Sequence, residues 1–165
     1  MAIDQLVKVW AVAALEGRDP VVIIEGWFQL RLIRNFGAAF SFGSGATWLF
    51  TLVAVVVTIV VVRTARTLTS DAWAWALGAL LGGAVGNLID RLVRDPGRGR
   101  GGVVDYFDVP WFSVFNLADV SLTFAAIGVA ILALRGVPMT DPAASEPPVT
   151  DPPSAAADDD GRLDP

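Results

Sequence analysis

The 165-residue chain has no cysteine and no histidine, and Lys8 is its only lysine. Without cysteine there is no disulfide, no thiolate nucleophile and no thiolate metal site. Without histidine there is no Ser-His pair, no His-x-x-x-His zinc site and no imidazole base. A Ser-Lys dyad would have a single base to draw on. If the chain performs hydrolysis, carboxylates are nearly the only acid and base groups left to it.

What is present is apolar and unevenly spread. Hydrophobic residues make up 54% of the chain, and they come in blocks. Residues 46–62, 72–89 and 117–134 form runs of 17, 18 and 18 residues, enough to span a bilayer, for which about 17–25 suffice. The middle run carries Gly78, Gly82 and Gly86 at four-residue spacing, which predicts an internal packing face. Residues 1–15 are too short to span and carry Asp4, Gln5 and Lys8 near their start, which does not fit a signal peptide. The simplest expectation is a fourth spanning helix lacking its first half, with translation starting upstream.

Charge is uneven too. Residues 137–165 hold seven acids and one base, a net of −6; residues 1–136 hold eleven bases and ten acids, a net of +1. The formal −5 therefore belongs to a Pro/Ala/Asp-rich tail, expected to be disordered and distinct from a membrane domain over residues 1–136. In the connectors, Phe28-Gln29-Leu30-Arg31-Leu32 alternates like a short strand, and residues 106–115, with Phe107, Trp111, Phe112 and Phe115, read as a stretch lying in the headgroup region. The connector over residues 63–71 has two arginines. The other two hold seven: Arg18, Arg31, Arg34, Arg91, Arg94, Arg98 and Arg100. Taken literally, the positive-inside rule places those two in the cytoplasm.

Three aspartates, Asp90, Asp105 and Asp119, lie at the ends of apolar segments. An ionisable side chain in hydrocarbon costs at least about 2.5 kcal/mol, so such residues are rare without a task. Two carboxylates brought close at low dielectric cannot both ionise; one holds a proton while the other takes one from water. Asp105 and Asp119 are the candidates, if the connector between them folds back. The alternative is that each caps a helix or pairs with an arginine. Asn116 and Asp119 share a helix face, as do Asn87, Asp90 and Arg91. Asp90 and Arg91 read either as an interfacial charge pair or as groups that hold substrate. Asn35 is either turn chemistry or part of the site. Asp4 needs a partner, and Lys8, one helical turn on, makes the pair structural.

Together these residues resemble the lipoprotein signal peptidase (signal peptidase II) family. The matching pieces are Asp4-Gln5-x-x-Lys8, Asn35-x-Gly37-Ala38-Ala39-Phe40-Ser41, Gly86-Asn87-x-Ile89-Asp90-Arg91, Val103-Val104-Asp105-Tyr106 and Phe115-Asn116-x-Ala118-Asp119, in the family's order. The resemblance implies an all-α integral membrane fold of four transmembrane helices with a small extracytoplasmic β region, and an interfacial helix before the last span. It implies an aspartic endopeptidase, without metal or cofactor, that removes the signal peptide of diacylglyceryl-modified prolipoproteins before the lipidated cysteine. Carried across by motif, Asp105 and Asp119 are catalytic; Asn35, Asn87, Asp90, Arg91 and Asn116 bind substrate or orient the site; Asp4 is structural. The expected setting is the bacterial cytoplasmic membrane, with the active site at the extracytoplasmic surface and both termini cytoplasmic. Expected partners are prolipoproteins and membrane lipid, not nucleic acid, and the expected state is a monomer. The chain departs from the family at Val7, where serine is usual, at Ser113, where proline is commoner, and in a longer, more basic loop over residues 94–102.

The rival reading is a small four-helix transporter or assembly subunit relaying protons through the aspartates. Transporters tend to carry internal repeats, and none is found here. Rhomboid-like and site-2-like proteases need histidine, and the Gly-x-Gly-Asp signature is absent. A solubilising tail should be dispensable: deletion of residues 141–165 is expected to leave prolipoprotein cleavage unchanged, and a large loss of activity in the truncated enzyme would contradict this.

Overall fold

A computed structural model describes residues 1–37 and 46–140. Helix α1 (Ala2–Leu15) leads into strands β1 (Val21–Ile24) and β2 (Phe28–Asn35), then helices α2 (Ala46–Ala65) and α3 (Asp71–Val93). Strands β3 (Val103–Val109) and β4 (Ser113–Phe115) follow, and helix α4 (Leu117–Leu134) closes the order. Helices α2, α3 and α4 are long and apolar enough to cross a membrane. With 14 residues, α1 reaches only about 21 Å at 1.5 Å per residue, short of a roughly 30 Å hydrocarbon core.

The four strands form one antiparallel sheet in the order β1-β2-β3-β4. Its position follows from burial. The face of α1 that is buried carries Asp4, Lys8, Ala11 and Leu15, at spacings of four, three and four residues. Ala11 and Leu15 pack on Val104 and Tyr106 of β3, forming an apolar core where sheet meets helix. A second core, built on Val61, Trp73 and Leu77, lies at the far end of α2 and α3. There the chain stays packed beyond residue 136: Val137 joins the core, its carbonyl accepts from Trp73 Nε1 at 2.9 Å, and the Met139 carbonyl accepts from the Thr69 amide at 3.1 Å. The expected acidic tail over residues 141–165 lies outside the described residues.

The segment expected to hold an interfacial helix instead forms β3 and β4. The run Val103-Val104-Asp105-Tyr106-Phe107 is β-branched and aromatic, and β2 offers it a paired edge, with Asn35 opposite Val103 and Ile33 opposite Asp105. Both faces are covered at Val103–Tyr106, so the strand shows no alternation.

The packing glycines also differ from expectation. A Cβ at Gly78 would meet nothing within 4 Å, and one at Gly82 only the amino terminus, at 3.6 Å. At Gly83 it would lie 2.7 Å from the Ala118 carbonyl oxygen, and at Gly86 2.7 Å from Asp4 Oδ2. The close approach of α3 to α4 and α1 therefore runs through Gly83 and Gly86, one turn apart on a single face. Gly83→Ala is expected to destabilise the protein by about 1–3 kcal/mol because backbone must move. Gly78→Ala should be neutral or stabilising by up to about 1 kcal/mol through helix propensity. Thermal unfolding midpoints in detergent check both; equal effects would contradict the assignment of the face.

Candidate active site

At one end of α3 and α4, five elements converge. The tip of β2 supplies Asn35, β3 supplies Asp105, α1 supplies Asp4 and Lys8, and α3 supplies Asn87, Asp90 and Arg91. The entry to α4 supplies Asn116 and Asp119. Local sequence explains the last pair. Asn116 is the N-cap of α4, its Oδ1 accepting from the Asp119 amide at 3.0 Å, while the Asn116 amide donates to Asp119 Oδ2 at 3.1 Å. This reciprocal capping box spends one carboxylate oxygen of Asp119. The other, Oδ1, accepts from Asn87 Nδ2 at 2.8 Å.

The cap also reaches Asp105. Asn116 Nδ2 donates to Asp105 Oδ1 at 2.6 Å and lies 3.3 Å from Asn87 Oδ1. Asn35 Nδ2 donates to the second oxygen of Asp105 at 2.9 Å. The turn reading of Asn35 holds as well, since its Oδ1 accepts from the Gly37 amide at 2.8 Å, with Gly37 at φ 92°. One side chain therefore serves both as turn and as site. The two carboxylates are thus tied through one buried residue, Asn116, whose side-chain amide binds Asp105 and whose backbone amide binds Asp119.

Their surroundings differ. Asp105 is 2% exposed, whereas Asp119 is partly open. Burial pushes the Asp105 carboxyl up to about 6; the Asn35 bond opposes this, the charge of Asp119 adds to it, and the Asn116 bond and Lys8 oppose it. Tyr106, whose hydroxyl oxygen accepts from the Leu117 amide at 3.2 Å, is pushed up to about 12 by burial and keeps its proton.

Beneath the pair lies a charged network. Lys8 Nζ sits 3.0 Å from Asp4 Oδ2, 2.9 Å from Asp90 Oδ2 and 2.9 Å from Asn87 Oδ1. Asp4 Oδ1 accepts from the Ala118 amide at 3.0 Å, and Asp90 accepts from Arg94 Nε at 2.7 Å and from the Val104 amide at 3.2 Å. Asp90 does not pair with Arg91, its sequence neighbour: adjacent helical residues face different ways. It turns toward α1, while Arg91 turns toward α2, where its guanidinium lies 5.5 Å from the Phe50 ring centre. Arg91 is 8% exposed, and its Nη1 has no hydrogen-bond partner among the described residues.

Two cavities open on this assembly. One of about 330 Å³ has Asn35, Asn87, Arg91 and Asp119 at a polar end, with Val53 and Leu80 among its apolar walls. The other, of about 490 Å³, lies between β4 and α4, lined by Phe112, Phe115 and Phe124. Both include Asn35 and Asp119. Asp90, Asp4 and Lys8 line neither of these two and act from behind the walls.

Sequence reasoning did not single out Arg94 as the partner of Asp90, nor the buried Asp108, which accepts from Gln29 Nε2 at 2.6 Å and pairs with Arg31 at 2.8 Å. The strand register, with Gln29 opposite Asp108, is the signal that would have found the second.

Comparison with known proteins identifies the family. The family model for signal peptidase (SPase) II matches residues 1–135. Lipoprotein signal peptidases of Rhodococcus jostii, Streptomyces coelicolor and Mycolicibacterium smegmatis are 52%, 48% and 45% identical over 83%, 79% and 95% of the chain. The chain spans 69%, 64% and 67% of those proteins, respectively. Two solved structures of a bacterial membrane enzyme, obtained by the in meso method at 2.3 and 1.9 Å resolution, superpose with TM-scores of 0.66 and 0.67 at 29% identity. Each covers 81% of this chain, and the chain covers 82% and 86% of them. The family match over residues 1–135, the identities to these peptidases and the shared fold lead to one conclusion: the chain belongs to the signal peptidase II family of aspartic peptidases.

Proposed function

We propose that Asp105 and Asp119 are the carboxylates with which this family member removes the signal peptide of diacylglyceryl-modified prolipoproteins, cutting before the lipidated cysteine. The observation that carries the reading is the Asn116 amide, which holds Asp105 while its own helix cap holds Asp119. The two carboxylates are inequivalent. Asp105, buried and raised, is the group that keeps a proton, and it donates to the scissile carbonyl. Asp119, at the meeting of both cavities, takes a proton from the attacking water. The proton then passes to the departing amine, and the pair is restored.

Asn35, Asn87 and Asn116 orient the carboxylates. Arg91, with its unpartnered Nη1 beside Asn87 and Asp119, binds a substrate carbonyl. A peptide laid from one cavity to the other passes Asn35 and Asp119, the residues common to both. Its lipid and its signal helix then enter sideways from the bilayer. Asp4, Lys8 and Asp90 hold Asn87 in place from behind. The enzyme works as a monomer in the bacterial cytoplasmic membrane, four helices deep, with the pair at the extracytoplasmic face and a cytoplasmic tail that begins only after residue 140, since Val137 and Met139 are packed on the helices. No nucleic acid takes part. A proton-relaying transporter is disfavoured because the aspartates gather at one end of the helices and not along them.

Asp105→Asn and Asp119→Asn are each expected to lower cleavage of a diacylglyceryl-modified prolipoprotein by at least about 10²–10⁴-fold while remaining folded; cleavage by both would refute the pair. The pH profile is a separate check. Asp105 holds its proton up to about pH 6 and loses it above, so the rate should fall through an alkaline limb near that value. Asn35→Ala removes a donor that favours the ionised form, so the limb should move to higher pH. A limb that stays in place would mean that another group titrates.

A further inference from the structure

Four of the seven arginines in the two basic connectors are accounted for internally. Arg31 pairs with Asp108, Arg34 with Glu16 at 2.6 Å and Arg94 with Asp90, and Arg91 lines the cavity beside Asp119. Arg18, Arg98 and Arg100 are different: all three are exposed, and none makes an ion pair among the described residues, but only Arg98 and Arg100 share one loop.

The loop that carries them is fixed. The Gly97 amide donates to the Arg94 carbonyl at 2.6 Å, the Arg100 amide to Gly97 at 2.9 Å and the Gly101 amide to Arg91 at 2.9 Å. From α2, the buried Thr51 hydroxyl donates to the Gly99 carbonyl at 2.6 Å. Gly97, Arg98 and Gly99 take φ of 69°, 54° and 82°, a left-handed run that an ordinary chain avoids. At Gly101 a Cβ would collide with the Asp90 and Arg94 carbonyl oxygens. Held this way, Arg98 and Arg100 share a cavity of about 440 Å³ with Trp48, Pro96 and Gly97.

Trp48 places that cavity. It stands in the first turn of α2, a helix long and apolar enough to span, and it is exposed along with Leu49, Leu52 and Val53. An indole at the start of such a face marks headgroup depth. Two guanidinium forks match the oxygens of a phosphate, and the apolar face that continues from Trp48 is where acyl chains would lie.

We propose that the α3–β3 loop is a binding site for the phosphodiester headgroup of an anionic membrane phospholipid, clasped by Arg98 and Arg100 against Trp48. The site is separate from the peptidase centre, and its occupancy is read without substrate. A free phosphate would satisfy the arginines but leave the apolar face uncovered, so the occupant is a lipid.

The test is native mass spectrometry of the detergent-solubilised enzyme titrated with phosphatidylglycerol or phosphatidylcholine. Wild type is compared with the double variant Arg98→Gln/Arg100→Gln, and with Arg63→Gln/Arg66→Gln at the opposite end of the helices. Wild type should retain phosphatidylglycerol in preference to phosphatidylcholine. The loop variant should lose about 30-fold in phosphatidylglycerol affinity, as expected for two arginines near an anionic surface, with an unchanged unfolding midpoint. The opposite-end variant should bind as wild type does. Equal retention of the two lipids, or unchanged binding by the loop variant, would overturn the proposal. So would displacement of the lipid by equimolar glycerol 3-phosphate, which would show a site for soluble phosphate.

Discussion

The side-chain amide of Asn116 is the point through which the candidate site is assembled. Its oxygen starts α4 by capping the Asp119 amide, and its nitrogen binds Asp105 on a strand eleven residues earlier in the chain. A helix cap is worth about 1 kcal/mol, so the cap is also a modest source of stability. Its larger consequence is geometric. Because Asp119 returns the bond to the Asn116 backbone, the orientations of Asp119 and Asp105 are both set by one residue. The capping reading and the catalytic reading of Asp119 are therefore not rivals, since each carboxylate oxygen has a separate task.

Behind this lies a second constraint, the burial of Lys8 among Asp4, Asp90 and Asn87. Leaving one member of a buried ion pair alone costs about 3–5 kcal/mol, so no single charge can be removed cheaply. The network joins α1 to α3, and through the Ala118 amide on Asp4 it joins α1 to α4. It also holds the Asn87 amide so that its nitrogen faces Asp119. The approach of Gly86 to Asp4 leaves room for this and nothing more.

Much of this was legible in the chain. The apolar runs located the three long helices closely, because hydrophobic length is a direct signal; α4 covers residues 117–134 as expected. The absence of histidine and cysteine narrowed the chemistry to carboxylates, and motif order singled out Asp105 and Asp119, which Asn116 brings to one place. The sheet was read poorly. Only part of β2 alternates, β1 has all four residues exposed, and the buried part of β3 shows no period to detect. The expected interfacial helix failed for that reason. Adjacency misled at Asp90 and Arg91, which lie side by side in sequence yet point to different helices. Four of the seven connector arginines are spent on buried or paired carboxylates and the cavity, a use that a count along the chain does not reveal.

The central claim is that the charge of Asp119 bears on the buried Asp105 carboxyl. Carbon-13 NMR of the aspartate carboxyl groups, following Asp105 against pH in wild type and in Asp119→Asn, tests it most directly. The account predicts that Asp105 titrates near 6 in wild type. In the variant, where the neighbouring charge is gone, the value should fall while staying above the ordinary value of about 3.9, because burial remains. An Asp105 that titrates at about 3.9 in both proteins, indifferent to residue 119, would contradict it.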